Sequence, residues 1–251
     1  MAICKLCLQA RPLVNSHIIP EAFFREINGG SGTFLFSAGD YKKRAPIGPY
    51  EPMLCQDCED KFGKADSYGV DVLLKRFSIL FNKEVITHDV TVFRSKEDAI
   101  DQSLLQRFFI SVLWRASVSK HVFYQQVGLG KLERFAMEAV DYETPLSGKF
   151  SVVLFHFPDS TEGQTLLGKL IRNPHQDRFD GINGYRFYFG KFGAFIMADT
   201  RGFPSKISGI TLNHGKTVEI VGGTFMAESD RTAMKNFMTS SIASGKFGFR
   251  R

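Results

Sequence analysis

The chain has 251 residues, enough for one large domain or for a small module joined to a larger one, and 43% of them are hydrophobic, which suffices for a sizeable core. Lysine and arginine (32) outnumber aspartate and glutamate (26), and the net charge of +6 permits contact with nucleic acid without demanding it. No apolar run reaches membrane-spanning length and no secretory signal precedes Cys4, so the expectation is a cytoplasmic protein with reduced cysteines and no membrane partner.

The first 66 residues carry the most specific signal. All four cysteines fall here as two CxxC pairs, Cys4-Lys5-Leu6-Cys7 and Cys55-Gln56-Asp57-Cys58. Each CxxC turn offers two sulfurs from one short loop, and zinc takes four ligands in a tetrahedron. Two such turns staple the loop from Cys7 to Cys55 and add folding free energy that the metal-free chain lacks. Two disulfides or four free thiols are the other arrangements, but a disulfide across a two-residue gap is strained. A redox CxxC stands alone and opens a helix after a strand. The paired motif points to structural zinc at Cys4, Cys7, Cys55 and Cys58.

Between the knuckles, Ser16-His17-Ile18-Ile19-Pro20 reads as a short strand ended by proline, and residues 21–26 as a brief helical turn. The stretch 29–49 is rich in Gly, Ser and Lys and long for a structureless connection, with Phe34-Leu35-Phe36 as a strand inside it. After the second knuckle, residues 59–66 start a helix with acidic residues near its positive end.

In this order, Cys4-Lys5-Leu6-Cys7, His17-Ile18-Ile19-Pro20 and Leu54-Cys55-Gln56-Asp57-Cys58-Glu59 resemble the HNH (ββα-metal, treble-clef) nuclease family, within a bacterial subgroup that carries SHIIP and ends its second knuckle in CE. The resemblance covers about the first quarter of the chain. It implies that His17 is the general base and that Glu59 is a helix-borne ligand of a catalytic Mg²⁺ or Mn²⁺, separate from the zinc. It implies nucleic acid, DNA before RNA, as the substrate, and a defence or mobile-element setting. The chain departs from the family where Ser16 replaces an aspartate ligand and where residues 47–52 lack the asparagine that orients the histidine; Glu51 is the candidate for either lost role. The other readings are a His17 that packs or caps within the knuckle fold, or is a fifth candidate zinc ligand, and a Glu59 that is a solvated first-turn acid.

The rest of the chain reads in order as follows. Leu73, Leu74, Phe77, Leu80 and Phe81 form one apolar stripe of a helix over 67–84. Residues 85–93 are extended, with a polar turn at His88-Asp89. Ser95 starts a helix, apolar nearly all round, that runs to about 119, and Arg107 and Arg115 within it read as internal ion pairs or a solvated edge rather than phosphate contacts. A helix over 131–140 turns Leu132, Phe135, Ala136 and Val140 inward. Strands follow at 150–157 and 166–171, with turns at Asp180-Gly181 and Asn183-Gly184 and hairpins joining 185–189 to 194–198 and 210–212 to 217–221. A final helix spans 229–242, and the tail 246–251 is basic and aromatic. Tyr185, Phe187, Tyr188 and Phe189 belong to a buried sheet rather than to a base-stacking platform.

The pattern is α+β: a zinc module over 1–66, a helical region over 67–145, and an antiparallel sheet with a last helix over 146–251, with 67–251 as one body the other division. The leading expectation is an HNH-like metal-dependent nuclease. The alternative is a non-catalytic zinc-finger protein that binds nucleic acid or a protein partner, and a homo-oligomer stays open.

Overall fold

The computed structural model describes residues 2–28, 34–36, 42–44, 47–86, 91–140, 142, 144–146, 148–157 and 170–223. The expected turn at His88-Asp89, the last helix and the basic tail lie outside the described residues. The chain is mixed helix and sheet, as the α+β reading expects.

β1 (Val14–His17) pairs antiparallel with β4 (Tyr50–Leu54), setting Ser16 opposite Glu51 and His17 opposite Tyr50. Between them come α1 (Glu21–Asn28) and the short strands β2 (Phe34–Phe36) and β3 (Lys42–Arg44), which pair with each other. α2 (Gln56–Val70) follows directly from β4. It runs into a π-helical turn, Asp71–Lys75, and then α3 (Phe77–Leu80). The helix expected up to residue 84 therefore stops at Leu80. β5 (Phe81–Val85) takes over because its backbone pairs with β6 (Thr91–Ser95).

α4 (Gln102–Val118) is the central helix, buried continuously from Leu104 to Ala116. It does not begin at Ser95. The hydroxyl of Ser95 accepts the Val218 amide at 2.9 Å, so it serves the sheet, while the Asp101 carboxylate caps α4 by accepting from the Leu104 amide at 2.9 Å. α2 lies against α4: the Phe62 and Trp114 rings stack at 5.8 Å, and Gly69 lets the Phe108 ring approach. A β-carbon on Gly69 would stand 2.5 Å from Phe108 Cγ, at the root of a buried ring that cannot swing away. Gly69→Ala gains helix propensity yet is expected to destabilise by about 1–2 kcal/mol net, because the two helices must part. Chemical denaturation of the variant beside wild type measures this.

α5 (Glu133–Glu138) turns Ala136 inward, but Phe135 is partly exposed beneath the Lys149 ammonium, 4.4 Å from the ring centre. The remaining strands are β7 (Val152–His156), β8 (Leu170–Arg172), β9 (His175–Phe179), β10 (Ile182–Phe189), β11 (Phe192–Met197) and β12 (Glu219–Gly222). Seven strands form one sheet in the order β5-β6-β12-β7-β11-β10-β9, antiparallel except for the parallel pair of β12 and β7. The expected hairpin over 210–221 is not formed. Thr211 bridges to Val153, and β12 pairs parallel with the next residues of β7, Leu154 to His156, on the same edge, opposite β11. The Asn183-Gly184 turn is also absent. The chain reverses at Asp180-Gly181, whose φ angles are +50° and +80°, and Gly184 sits inside β10 where the Ile196 carbonyl comes too close for a side chain.

Strand alternation divides the apolar residues between two faces. Val152 and Leu154 join the main core with α4, and Val153 and Phe155 join a second cluster with Phe195 and Met197. On the α4 side, Phe189 meets Phe23 of α1 at 5.4 Å and Phe109 of α4 at 5.8 Å. Tyr185, Phe187, Tyr188 and Phe189 are all buried, so they offer no stacking platform.

Candidate metal centre

The cysteine site is built by two different local structures. In the first, the chain turns back at Cys4–Cys7: the Leu8 amide donates to the Cys4 carbonyl at 3.0 Å, the Cys4 amide to the Gln9 carbonyl at 2.9 Å, and Ile3 bridges Ala10. Leu8 takes a φ of +59°, unusual for a residue with a β-carbon, because the knuckle requires a left-handed residue there. In the second, Cys55 is the extended residue before α2 and Cys58 lies in its first turn. The Lys5 amide donates to the Met53 carbonyl at 3.0 Å and ties the knuckles together.

The four sulfurs all lie within 4.8 Å of one another, and Cys7 Sγ is 3.9 Å from Cys55 Sγ. Four thiolates about 2.3 Å from a central zinc stand about 3.8 Å apart, so the spacing fits a tetrahedral ion. The charges fit as well. Burial opposes ionisation of Cys4, but amides of Cys55, Cys7 and Leu6 and the Cys7 side chain outweigh it and bring the thiol down to about 6. Burial, followed by hydrogen bonds to the other three thiols, pushes Cys58 up. Cys4 is thus pushed towards its thiolate and Cys58 away from it; a divalent ion among the sulfurs removes that conflict. The cysteines are free thiols, and the set could hold a metal such as zinc.

Beside this centre lies the Ser16-His17 dipeptide. Ser16 is fully buried, and its hydroxyl donates to Glu59 Oε2 at 2.6 Å. Strand alternation thus turns Ser16, not His17, onto α2. Glu59 reaches the imidazole through its charge. Burial holds the His17 pKa below its usual value, helped by the positive charge of Arg115 and opposed by Glu21, a hydrogen bond with the Ile47 backbone, and Glu59. Burial thus favours the neutral ring. Its Nε2 is buried and has no hydrogen-bond partner among the described residues, and the Tyr50 ring lies 5.5 Å away. Glu51 instead accepts from the Lys120 amide at 3.0 Å.

Arg115 is the residue that the motif could not reveal. Its guanidinium forks the Asp66 carboxylate at 2.8 and 2.6 Å and donates to the His17 carbonyl at 2.8 Å. Arg107 is also internal, donating to the carbonyls of Ala139 at 2.7 Å and Thr144 at 2.6 Å. A charge inside a helix that is apolar all round signals such pairing, but not the partner.

A second concavity of about 500 Å³ opens between the 128–132 segment and the β9–β10 edge, lined by Leu129, Asp177, Arg178, Asn183 and Tyr185 among others. Its polar groups bond to one another: Arg178 to Asn183 at 2.9 Å, Asp177 to Arg186 at 2.6 Å, and Tyr185 to the Gly128 carbonyl at 2.5 Å. No helix among the described residues is long and apolar enough to cross a membrane. Compared with family models, with curated proteins and with solved structures, the chain matches none.

Proposed function

We propose that the N-terminal stretch is a zinc-scaffolded ββα module of the HNH, treble-clef type, and that the protein cleaves phosphodiester bonds in nucleic acid, DNA first, with a divalent cation. The observation that carries this reading is the 2.6 Å bond from Ser16 to Glu59, which sets the residue preceding His17 against the carboxylate at the start of α2. The order of β1, β4 and α2 around four clustered cysteines supports it.

The oxygens of Ser16 and Glu59 are close enough to occupy adjacent positions around Mg²⁺, which binds oxygen at about 2.0–2.1 Å and keeps several waters beside one or two carboxylates. When bound, such a cation would supply charge stabilisation at the scissile phosphate. Glu59 would hold it and Ser16 would orient Glu59. His17, whose neutral form burial favours, would accept the proton of the attacking water. Four unbonded thiols in contact suit a reducing compartment, hence the cytoplasm, and a defence setting would make foreign nucleic acid the target.

The test is cleavage of plasmid, single-stranded DNA and RNA in Mg²⁺ or Mn²⁺ by wild type and His17→Ala, both checked for zinc. The expected result is cleavage by wild type and a loss on the order of 10²–10⁴-fold in the variant with zinc retained. Equal cleavage by both sinks the His17 mechanism.

A non-catalytic zinc-finger module is the second reading. It is favoured by the shielding of His17 Nε2 and by a Ser16 hydroxyl whose proton is directed at Glu59. Salt-dependent binding of nucleic acid, or capture of a defined protein partner or second copy, without turnover by a zinc-loaded chain would establish it.

A further inference from the structure

Arg115 is 1% exposed, and a guanidinium so placed has given up nearly all of its hydration. The Asp66 fork offsets that loss, helped by the Phe62 ring 4.9 Å away and by the Ser111 carbonyl and hydroxyl at 3.3 Å each. The bond to the His17 carbonyl is not needed for charge balance. It joins α4 to the residue that the proposed function makes the base.

α2 makes the same connection twice. Glu59 and Asp66 are seven residues apart, two turns of helix, and so lie on one face. Glu59 holds the side chain of Ser16, and Asp66, through Arg115, holds the carbonyl of His17. Consecutive residues of β1 are thereby fixed from one helix face, one by its side chain and one by its backbone. We infer that Arg115 is a positioning residue for His17: with Asp66 it sets the direction in which the imidazole leaves the strand. This rests on the reading of His17 as the base.

The test uses the full zinc-loaded chain with supercoiled plasmid as substrate and Mg²⁺ or Mn²⁺ present. Arg115→Lys keeps the charge but cannot fork Asp66 and reach the carbonyl in one plane. It is expected to lower kcat on the order of 10- to 100-fold with little change in KM. In the His17→Ala background it is expected to add nothing, because Arg115 acts through the ring. Arg107→Lys, which removes the fork of another buried arginine of α4, is expected to leave kcat near wild type. Multiplying effects of Arg115→Lys and His17→Ala, or a loss confined to KM, would overturn the inference.

A second readout does not depend on cleavage. The ring ¹H–¹⁵N signals of His17 are expected to shift or broaden in Arg115→Lys and not in Arg107→Lys. Unchanged His17 signals overturn the positioning role, whatever the cleavage result. No cleavage by wild type, together with displaced His17 signals, sinks the nuclease reading and leaves only the placement of the His17 ring by Arg115. Asp66→Asn, which leaves Arg115 in place and weakens its fork, gives the same two readouts if Arg115→Lys does not fold.

Discussion

Removing zinc is expected to lower the melting temperature by roughly 8–16 °C, as a loss of about 4 kcal/mol does in a domain of this size. Structural zinc contributes about 10–16 kcal/mol in isolated finger peptides, where nothing folds without it. Here the contribution is smaller, because α2 keeps its packing on α4 through Phe62 and Trp114. The pair of β1 and β4 has less to hold it. A two-stranded sheet is marginal alone, and its first strand follows a knuckle whose turn is closed by short backbone bonds. Without metal, four sulfurs stand within 4.8 Å of one another with no cation between them, and burial works against the thiolates of Cys4 and Cys58. Thermal unfolding with and without a zinc-selective chelator, beside Cys58→Ser and a zinc assay, measures the effect. Acid should mimic the chelator, since each thiolate that takes a proton leaves the metal. A chain that copurifies with no zinc, or melts at the same temperature after losing it, would contradict a folding role for the cysteines.

The knuckles were legible in the sequence because their chemistry is local: two sulfurs per turn, at fixed spacing, with no other cysteine to confuse the pairing. The same holds for α4, whose apolar residues declare a buried helix, and for the turn at Asp180-Gly181. What stayed hidden depends on partners far along the chain. Ser95 looks like a helix cap until Val218 claims its oxygen across 123 residues. Residues 210–221 look like a hairpin until β12 takes a parallel place beside β7 and the Asn213 side chain is bonded to Gln106. In the site, the motif picked out His17 and Glu59, but strand alternation determined that Ser16 is the residue touching the helix. Arg115 was visible only as a charge in an apolar helix, and Asp66, 49 residues before it, as a helical acid. No spacing rule connects them; the crossing of α2 and α4 does.

Ser16→Asp is expected to cost about 3–5 kcal/mol in a buffer free of divalent cations and to regain most of that in Mg²⁺ or Mn²⁺, provided the Ser16–Glu59 corner is a cation site. Ser16 is fully buried and donates to Glu59 at 2.6 Å, so the substitution replaces a donor by a second carboxylate at hydrogen-bond distance. Two such groups cannot both stay ionised in a dry corner, and one is driven to hold a proton. Its pKa in the folded chain then lies above the unfolded value near 4, so the penalty grows as the pH rises from there towards the folded value, is large at pH 7, and is gone once the pH falls below about 4. A bound cation removes the repulsion without any change of pH. Ser16→Asn, similar in size and uncharged, separates crowding from charge. Melting curves of both variants and wild type, all zinc-loaded, decide between the two proposed functions. A cation-dependent recovery in Ser16→Asp alone would mean that the corner is a cation site lacking one ligand, as a divergent nuclease requires. The same low melting temperature with and without Mg²⁺ or Mn²⁺ would mean that Glu59 serves as a hydrogen-bond acceptor for β1, as a binding module requires.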